Sequence, residues 1–350
     1  MNNQERLGLY KEYPQPALEA ATAQKIINLM ETQMVKNFSG GRMLRDVHSK
    51  GHGCVKAEFT VLPDLPDELR VGVFQEPRTF PAVIRFSNAG ALAPIGGTAM
   101  DITRDARGMA VKLVGVTGEK ILEDEKEADT QDFLMFTPNI FFCPGPDGFF
   151  DLMVALTSNR LTFAWFLLTH PSISLALIAS LKKAANLLEL QYFSAVPYRL
   201  GFRAVKFSAK PVFDRKSEVP SRPSDNYLRE RMQEQLAREE ASFDFMMQFQ
   251  KDPYAMPIEN GLVPWAEEVS PFLKVATIKI LRQSFDSPEQ MVDCDNLSFT
   301  PWHSLPEHRP LGSISRVRRL VYQAISKFRH QRNDVSREEP TVETLDSEHL

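Results

Sequence analysis

The order of apolar and polar positions divides the chain into a helical beginning, a series of short strands, a helical middle and further strands. Residues 17–34 place apolar side chains at three- and four-residue intervals, which predicts an amphipathic helix within an N-terminal helical arm over residues 1–44. From 45 to 140, short runs of apolar and β-branched residues alternate with Gly, Pro and Asp. This pattern predicts a meander of strands.

The rest of the chain inserts helices and then returns to strands. Helical patterning covers residues 149–189, whereas 204–211 and 272–282 have the composition of strands. Between these two strands, the mixed charges of 226–249 and the capping residues before them predict one long solvated helix. Strands, inserted helices and further strands together predict an α+β fold whose strands close into an antiparallel barrel.

The C-terminal part of the chain changes character after the last strand. Residues 315–332 predict a helix that is basic on one side, and 334–350 form an acidic tail that we expect to be disordered. The predicted organisation is therefore an N-terminal arm, a barrel domain over 45–312, a C-terminal helix over 313–333, and the tail.

One apolar stretch, residues 161–181, approaches the length of a membrane span. The His170-Pro171 pair breaks it into two pieces, each too short to span alone, because proline removes a backbone donor and interrupts the helix. Buried helices are the plain interpretation. The alternative is a membrane-touching entrance for an apolar substrate.

Composition narrows the class of ligand. The chain has 350 residues and a net charge of -4, which gives no overall electrostatic reason to expect nucleic acid or an anionic membrane as a partner and favours a small molecule. Cys54, Cys143 and Cys294 form no CxxC pair, so we expect reduced thiols in a cytoplasmic protein. The first thirty residues lack the apolar run of a secretory signal.

Candidate chemistry begins at residues 45–51, which read RDVHSKG. This segment resembles the distal segment of haem catalases, where an Arg and a His three residues apart precede Lys-Gly. Further matching segments follow in the same order: AVIRFSNAG (82–90), DARGMAVKL (105–113), FTPNIFF (136–142) and PYRLG (197–201). The stretch 295–312 resembles a branch of smaller, largely uncharacterised catalase-like haem proteins. The resemblance covers about residues 45–320.

The resemblance implies a closed eight-stranded antiparallel barrel that buries b-type haem. His48 then stands on the distal face, where an imidazole can move a proton between the two oxygens of a peroxide. Ser87 corresponds to the serine that orients this histidine. Arg45, Arg85 and Arg199 fall where the family's three arginines hold the haem propionates, which guanidinium groups bind bidentately.

On the proximal side, the family pattern is Arg-x-x-x-Tyr, with the tyrosine seven residues before an arginine. Counting back from Arg199 in RLG gives Tyr192 as the iron ligand, since haem iron can be held by tyrosinate. The chain departs from the pattern at Leu188, where the arginine is expected, and Glu189 adds negative charge. The resemblance also places Phe149 beside the haem on the distal side.

The distal asparagine of the family has no direct counterpart. Ungapped alignment puts Thr137 at its position, with Asn139 two residues later, so the hydrogen bonding that steers peroxide is altered. The leading expectation is a haem-dependent oxidoreductase acting on hydrogen peroxide or an organic hydroperoxide, including a fatty-acid hydroperoxide. The alternatives are a haem-binding protein without turnover and a haem-free lipid-binding barrel. An oligomer is compatible with each.

Overall fold

The computed structural model describes residues 11–90, 100–213 and 216–346, and within them nine strands form one antiparallel sheet. The strands are β1 (Gly51–Val61), β2 (Thr79–Asn88), β3 (Arg107–Val114), β4 (Thr130–Phe136), β5 (Tyr192–Phe193), β6 (Tyr198–Leu200), β7 (Arg203–Pro211), β8 (Ala241–Phe249) and β9 (Leu273–Ile280).

The sheet closes on itself through β5. The strand order is β5-β4-β3-β2-β1-β9-β8-β7-β6, and β5 pairs with β7 as well as with β4. Phe136 of β4 faces Phe193, while Tyr192 faces Ala209 of β7. Eight strands therefore form a closed barrel and β6 is an additional strand on β7. This confirms the predicted fold class.

The interior of the barrel is filled by aromatic side chains. Phe59, Phe133, Phe207 and Phe245 are all buried, and the Phe245 ring centroid lies 5.1 Å from those of Phe59 and Phe133 and 5.5 Å from that of Phe207. Inward and outward positions alternate along each strand, so a small barrel packs its interior with side chains. The expectation that haem lies inside the barrel is therefore wrong.

Among the described residues, eight helices cover or flank the barrel. They are α1 (Pro16–Asn37), α2 (Pro146–Thr157), α3 (Arg160–Thr169), α4 (Pro171–Ser180), α5 (Tyr227–Leu236), α6 (Pro288–Asn296), α7 (Gly312–Asn333) and α8 (Val342–Asp346). Ile26 and Met30 of α1 share an apolar cluster with Met153 of α2 and with Val317 and Val321 of α7. These three helices therefore form one apolar layer.

Helices α3 and α4 form a sharply bent pair. Asn159 caps α3 by accepting the backbone N–H groups of Leu161 and Thr162, and Pro171 begins α4 at an angle of 108°. No single helix among the described residues has the length and apolarity needed to cross a membrane. The α3–α4 pair meets that criterion only when its two bent halves are taken together.

The predicted long helix over 226–249 is wrong in its second half. Helix α5 ends at Leu236, and Ala241–Phe249 forms β8 between β7 and β9. The inward-facing residues Phe243, Phe245 and Met247 alternate with half-buried ones, which is the period of a strand.

The acidic tail is ordered as far as the structure describes it. Glu339 accepts a hydrogen bond from Thr130 at 2.8 Å and lies 2.6 Å from the buried ammonium group of Lys112. Leu345 of α8 packs against the outside of the barrel. The expectation of a disordered tail over 334–350 is thus wrong for residues 334–346, and its last four residues lie outside the described ranges.

Two of the three cysteines form a disulfide. Cys54 on β1 and Cys294 on α6 are bonded, with 5.4 Å between their Cα atoms, and Cys143 is free and buried. The expectation of three reduced thiols is wrong, and the argument from cysteine usage for a reducing compartment falls with it.

Candidate functional site

A cavity of about 290 Å³ lies between the outer face of the barrel and the helical layer. The barrel wall comes from β2, β3 and β4, and the helical wall from α1, α2 and α7. The lining is mostly apolar, with a few converging polar groups, which is the usual composition of a ligand site. Those polar groups include His48, Ser87, Arg45, Arg85, Arg318, Tyr322 and Arg329.

His48 is held in a backbone conformation that few side chains adopt. Its φ is +58°, and its N–H donates to the carbonyl of Ala89 at 3.1 Å while its own carbonyl accepts from Arg85 at 3.0 Å. The imidazole Nδ1 shares a hydrogen bond of 2.9 Å with Ser87 Oγ. Left-handed non-glycine residues persist where the surroundings determine them, often at functional sites.

Gly108 makes room for the imidazole. A Cβ atom at this position would lie 2.7 Å from both Cε1 and Nδ1 of His48 and 2.8 Å from Ser87 Oγ. The strand β3 therefore needs a residue without a side chain opposite the His48–Ser87 pair. Only glycine meets that requirement.

The electrostatic surroundings keep the His48 imidazole neutral. Burial, together with the guanidinium groups of Arg85, Arg318 and Arg45 in that order, lowers its pKa to about 3. A neutral imidazole is able to accept a proton from a bound molecule.

Three arginines converge on the end of α6. Arg45 and Arg85 lie 3.5 and 3.8 Å from the carboxylate of Asp295, and both Arg45 and Arg329 donate to the carbonyl of Leu297. Asp295 is the one carboxylate within ion-pair distance of these arginines among the described residues. The Nε of Arg85 is buried and has no hydrogen-bond partner among them.

This cluster carries more positive than negative charge. Burial, with repulsion from Arg45, lowers the pKa of Arg85 to about 9. Burial also lowers the pKa of Arg329 to about 8, and Arg45 and Arg85 again oppose its charge. Because guanidinium groups remain protonated, these shifts measure an unfavourable concentration of charge that an anionic ligand would relieve.

A tyrosine on α7 faces the same cavity. Arg318 Nη2 donates to the hydroxyl oxygen of Tyr322 at 3.0 Å, and both residues line the cavity wall. A guanidinium donor stabilises negative charge on the oxygen that it contacts. Arg318 and Tyr322 have the Arg-x-x-x-Tyr spacing, and Arg329 follows the tyrosine by seven residues. The sequence analysis missed these three residues, although their spacing was the available signal.

Tyr192 does not reach the cavity. It is fully buried inside the barrel, where its ring lies against Phe86 and Phe243 and its hydroxyl donates to the carbonyl of Leu187 at 2.8 Å. Burial raises the pKa of its phenol well above the ordinary value. The assignment of Tyr192 as a ligand is therefore corrected, since its oxygen is already bonded and faces a packed core.

Three other predicted residues lie away from the cavity, and five line it. Arg199 Nε donates to the carbonyl of Gly201 and Arg199 does not line the cavity, whereas Arg329 does. The hydroxyl of Thr137 accepts the N–H of Arg107, and Asn139 is exposed. Phe149 lines the cavity, as do His48, Ser87, Arg45 and Arg85.

A second cluster of titratable groups lies beneath the C-terminal tail. One oxygen or nitrogen each of Glu125, His303 and Glu339 come within 4.8 Å of one another. Lys112 and Arg337 already pair with these carboxylates. The cluster is therefore a buried ion-pair network that fixes the tail, since two cations occupy the place of a metal ion.

No protein-family model matches the chain, and no curated protein sequence matches it. Several solved structures are similar to it. A bacterial catalase aligns with a TM-score of 0.68 at 16% identity, covering 92% of this chain and 65% of that one. A fungal catalase gives 0.62 at 16%, covering 87% and 62%, and catalase A from Saccharomyces cerevisiae gives 0.63 at 18%, covering 87% and 65%.

This chain has the catalase fold. At 16–18% identity the likeness concerns the fold, and the chain spans less than two thirds of the length of these catalases. A shared fold does not determine what the cavity binds, so its chemistry depends on the residues that line it in this chain.

Proposed function

We propose that the chain binds b-type haem in the cavity between the barrel and the helices and uses it in a reaction with a hydroperoxide. The observation that carries the proposal is the convergence of Tyr322 with Arg318 and of three further arginines on one cavity that also contains His48. The catalase fold supports it.

The donor set fits the group. The phenol oxygen of Tyr322 is the type of ligand that holds ferric iron, and it accepts a hydrogen bond from Arg318. Arg45, Arg85 and Arg329 provide the excess positive charge that two propionates would neutralise. When bound, haem supplies an iron centre able to reduce a peroxide bond.

The residues of the chain would bind and orient the substrate. His48 accepts the proton of a hydroperoxide and returns it to the leaving oxygen, while Ser87 fixes the direction of the ring. Burial and the guanidinium groups of Arg85 and Arg45 hold the pKa of His48 low, so its imidazole is neutral and free to accept that proton. Phe141, among other aromatic residues, keeps water away from the site.

The cavity favours an organic hydroperoxide over rapid disproportionation of hydrogen peroxide. Thr137 and Asn139 do not line it, so neither replaces the amide that was expected beside His48. The cavity that contains His48 is lined mostly by apolar side chains instead, including Phe142 and Phe149. Such a lining accommodates the apolar part of an organic substrate better than a second molecule of peroxide.

A haemin titration of the purified protein, followed by absorption spectroscopy, tests the proposal. We expect a tyrosinate-type spectrum with the wild type and with Tyr192→Phe, and loss of that spectrum with Tyr322→Phe. The two substitutions are matched because each removes one hydrogen-bonded phenol hydroxyl, but only Tyr322 lines the cavity. Equal spectra for all three proteins would refute the ligand assignment.

Turnover is measured on the loaded protein with hydrogen peroxide and with an organic hydroperoxide such as cumene hydroperoxide. His48→Ala is expected to retain haem and to lower the rate by about 10²- to 10⁴-fold, the usual contribution of a general acid–base. Haem uptake without consumption of either peroxide would support the alternative of a haem-binding protein without turnover. The absence of an amide among the residues expected beside His48 also favours this alternative. A protein that takes up no haem would remove both.

A further inference from the structure

Helices α3 and α4 expose an apolar face that no described residue covers. The face consists of Leu161, Trp165, Leu168, Leu175 and Ile178, which are 83%, 68%, 77%, 70% and 62% exposed. Their spacing of four and three residues on α3, and of three on α4, places them on one side of each helix. We call these five residues the hairpin face. Contiguous exposed apolar patches of this kind mark interaction sites.

The opposite side of both helices belongs to the protein core. Phe166 of α3 and Ile173 and Leu177 of α4 are buried in one cluster with Leu152 of α2 and with Cys143. The two helices therefore cannot both leave the protein and enter a bilayer without breaking this cluster. A partner of the hairpin face must lie on it rather than surround it.

Charge is distributed around the hairpin face with one sign only. Arg160 is the first residue of α3, while Lys182 and Lys183 follow α4, and all three are exposed. Residues 161–181 contain no Asp, Glu, Lys or Arg. No acidic residue occurs between Asp151 and Glu189. Apolar residues with a tryptophan, flanked by basic side chains, are typical of helices that lie in a membrane interface.

We propose that the hairpin face docks on the surface of an anionic lipid bilayer, with its five apolar side chains among the acyl chains and Arg160, Lys182 and Lys183 on the lipid phosphates. A second copy of the chain fits less well. A twofold interface brings the same patch together from both copies, and these cations would then meet each other without an acidic partner in the segment. Anionic lipid attracts all three.

Docking places the cavity close to the bilayer. Phe142, Phe149 and Leu156 pack against the buried side of the α3–α4 pair and also line the cavity. One apolar wall therefore separates the hairpin face from the candidate site. The docking itself does not depend on haem or on turnover, so it is tested on the protein with and without bound haemin.

Trp165 provides an intrinsic probe. The chain has three tryptophans, and Trp265 and Trp302 are each only 4% exposed, whereas Trp165 is 68% exposed. Vesicles that contain phosphatidylglycerol should shift the tryptophan emission to shorter wavelength, and brominated lipid in them should quench it. Trp165→Phe should abolish this shift while the protein still floats with the vesicles. Unshifted emission together with no flotation would overturn the proposal.

Matched variants test the surface and its charge. Leu161→Ser combined with Leu168→Ser should weaken vesicle binding about tenfold or more, because two apolar side chains that docking would bury in the bilayer are lost. Phe202→Ser is the control, since Phe202 is 71% exposed on a turn away from the pair. Lys182→Gln with Lys183→Gln should remove the preference for phosphatidylglycerol over phosphatidylcholine.

Two results would contradict the inference even if vesicles bind or proteins associate. Undiminished flotation of the double serine variant would place the lipid contact elsewhere. A wild-type dimer that this variant converts to a monomer, with no flotation of either form, would show that a second copy covers the hairpin face. Sedimentation velocity distinguishes the dimer from the monomer.

Discussion

Gly108→Ala tests the position of His48 by adding a single methyl group. The new Cβ would lie 2.7 Å from two ring atoms of His48 and 2.8 Å from Ser87 Oγ, well inside van der Waals contact. The backbone at Gly108 is not left-handed, so alanine can adopt the same backbone conformation. The strain therefore falls on the imidazole and on its hydrogen bond to Ser87.

The size of the effect follows from these distances. The ring has to move by about 1 Å to restore ordinary contact, and a misplacement of that size costs roughly 100-fold in rate. Overpacking of a methyl group costs about 1–3 kcal/mol of the free energy of unfolding, and the lost hydrogen bond about 1 kcal/mol. Haem uptake should not change, because the arginines and Tyr322 are untouched.

The assay compares wild type, Gly108→Ala and a control, Gly40→Ala, after loading with haemin. A Cβ at Gly40 meets no atom within 4 Å, so the control should keep both rate and stability. Hydroperoxide consumption gives the rate, and urea unfolding followed by circular dichroism gives the stability. A Gly108→Ala protein with the wild-type rate and midpoint would show that the imidazole does not rest against β3.

Two further predictions concern stability. Reduction of the Cys54–Cys294 bond, which links residues 240 positions apart, should lower the free energy of unfolding by about 2–4 kcal/mol in urea titrations with and without dithiothreitol. Cys143→Ser should leave that difference unchanged, and equal midpoints in both conditions would argue against the bond. Stability should also fall as the pH decreases from about 6.5 to 4, because an unfolded histidine takes up a proton near pH 6.5 whereas burial lowers the pKa of His308 to about 4. His308→Gln keeps an acceptor for the Val73 N–H and should reduce the loss of unfolding free energy between pH 6.5 and 4 by up to roughly 3 kcal/mol. A variant with the same pH profile as the wild type would contradict the assignment.

The barrel was predictable because most of its strands have a local sequence pattern that is typical of strands. Residues 204–211 and 272–282 show strand composition, and they form β7 and β9. Strand β8 was not predicted because it follows α5 closely in the sequence. The charged pattern of α5 continues to Glu240, and alternating apolar residues begin only after it. A helical period extended through such a boundary captures the first element and misses the second.

Sequence reasoning named five residues that line the cavity, and it missed the tyrosine of α7 that also faces it. The seven-residue spacing of the family pattern was counted back from Arg199 in the RLG segment, and this count led to Tyr192. The same spacing recurs at Arg318, Tyr322 and Arg329, in a helix whose basic residues suggested a solvated surface. Charge composition does not reveal which side of a helix faces a cavity, so the choice between the two tyrosines required the packing of α7 against β2–β4.

The pairing of Cys54 with Cys294 lay beyond sequence reasoning for a different reason. The two residues are 240 positions apart, and no local signal connects them. Only the docking of α6 on β1 brings them together. Likewise, the order of the tail comes from Glu339 meeting Lys112, a contact with a strand more than 200 residues earlier.

Because phenylalanine side chains fill the barrel, its folding does not depend on a bound group. Phe245 and the rings around it complete a core that needs no prosthetic group, so a colourless preparation is expected to be native rather than collapsed. On the proposed function, haem would therefore bind to a chain that has already folded. Substitutions inside the barrel should lower thermal resistance whether or not haemin is added, whereas substitutions of Tyr322 should lower haemin occupancy and the extra stability that binding gives.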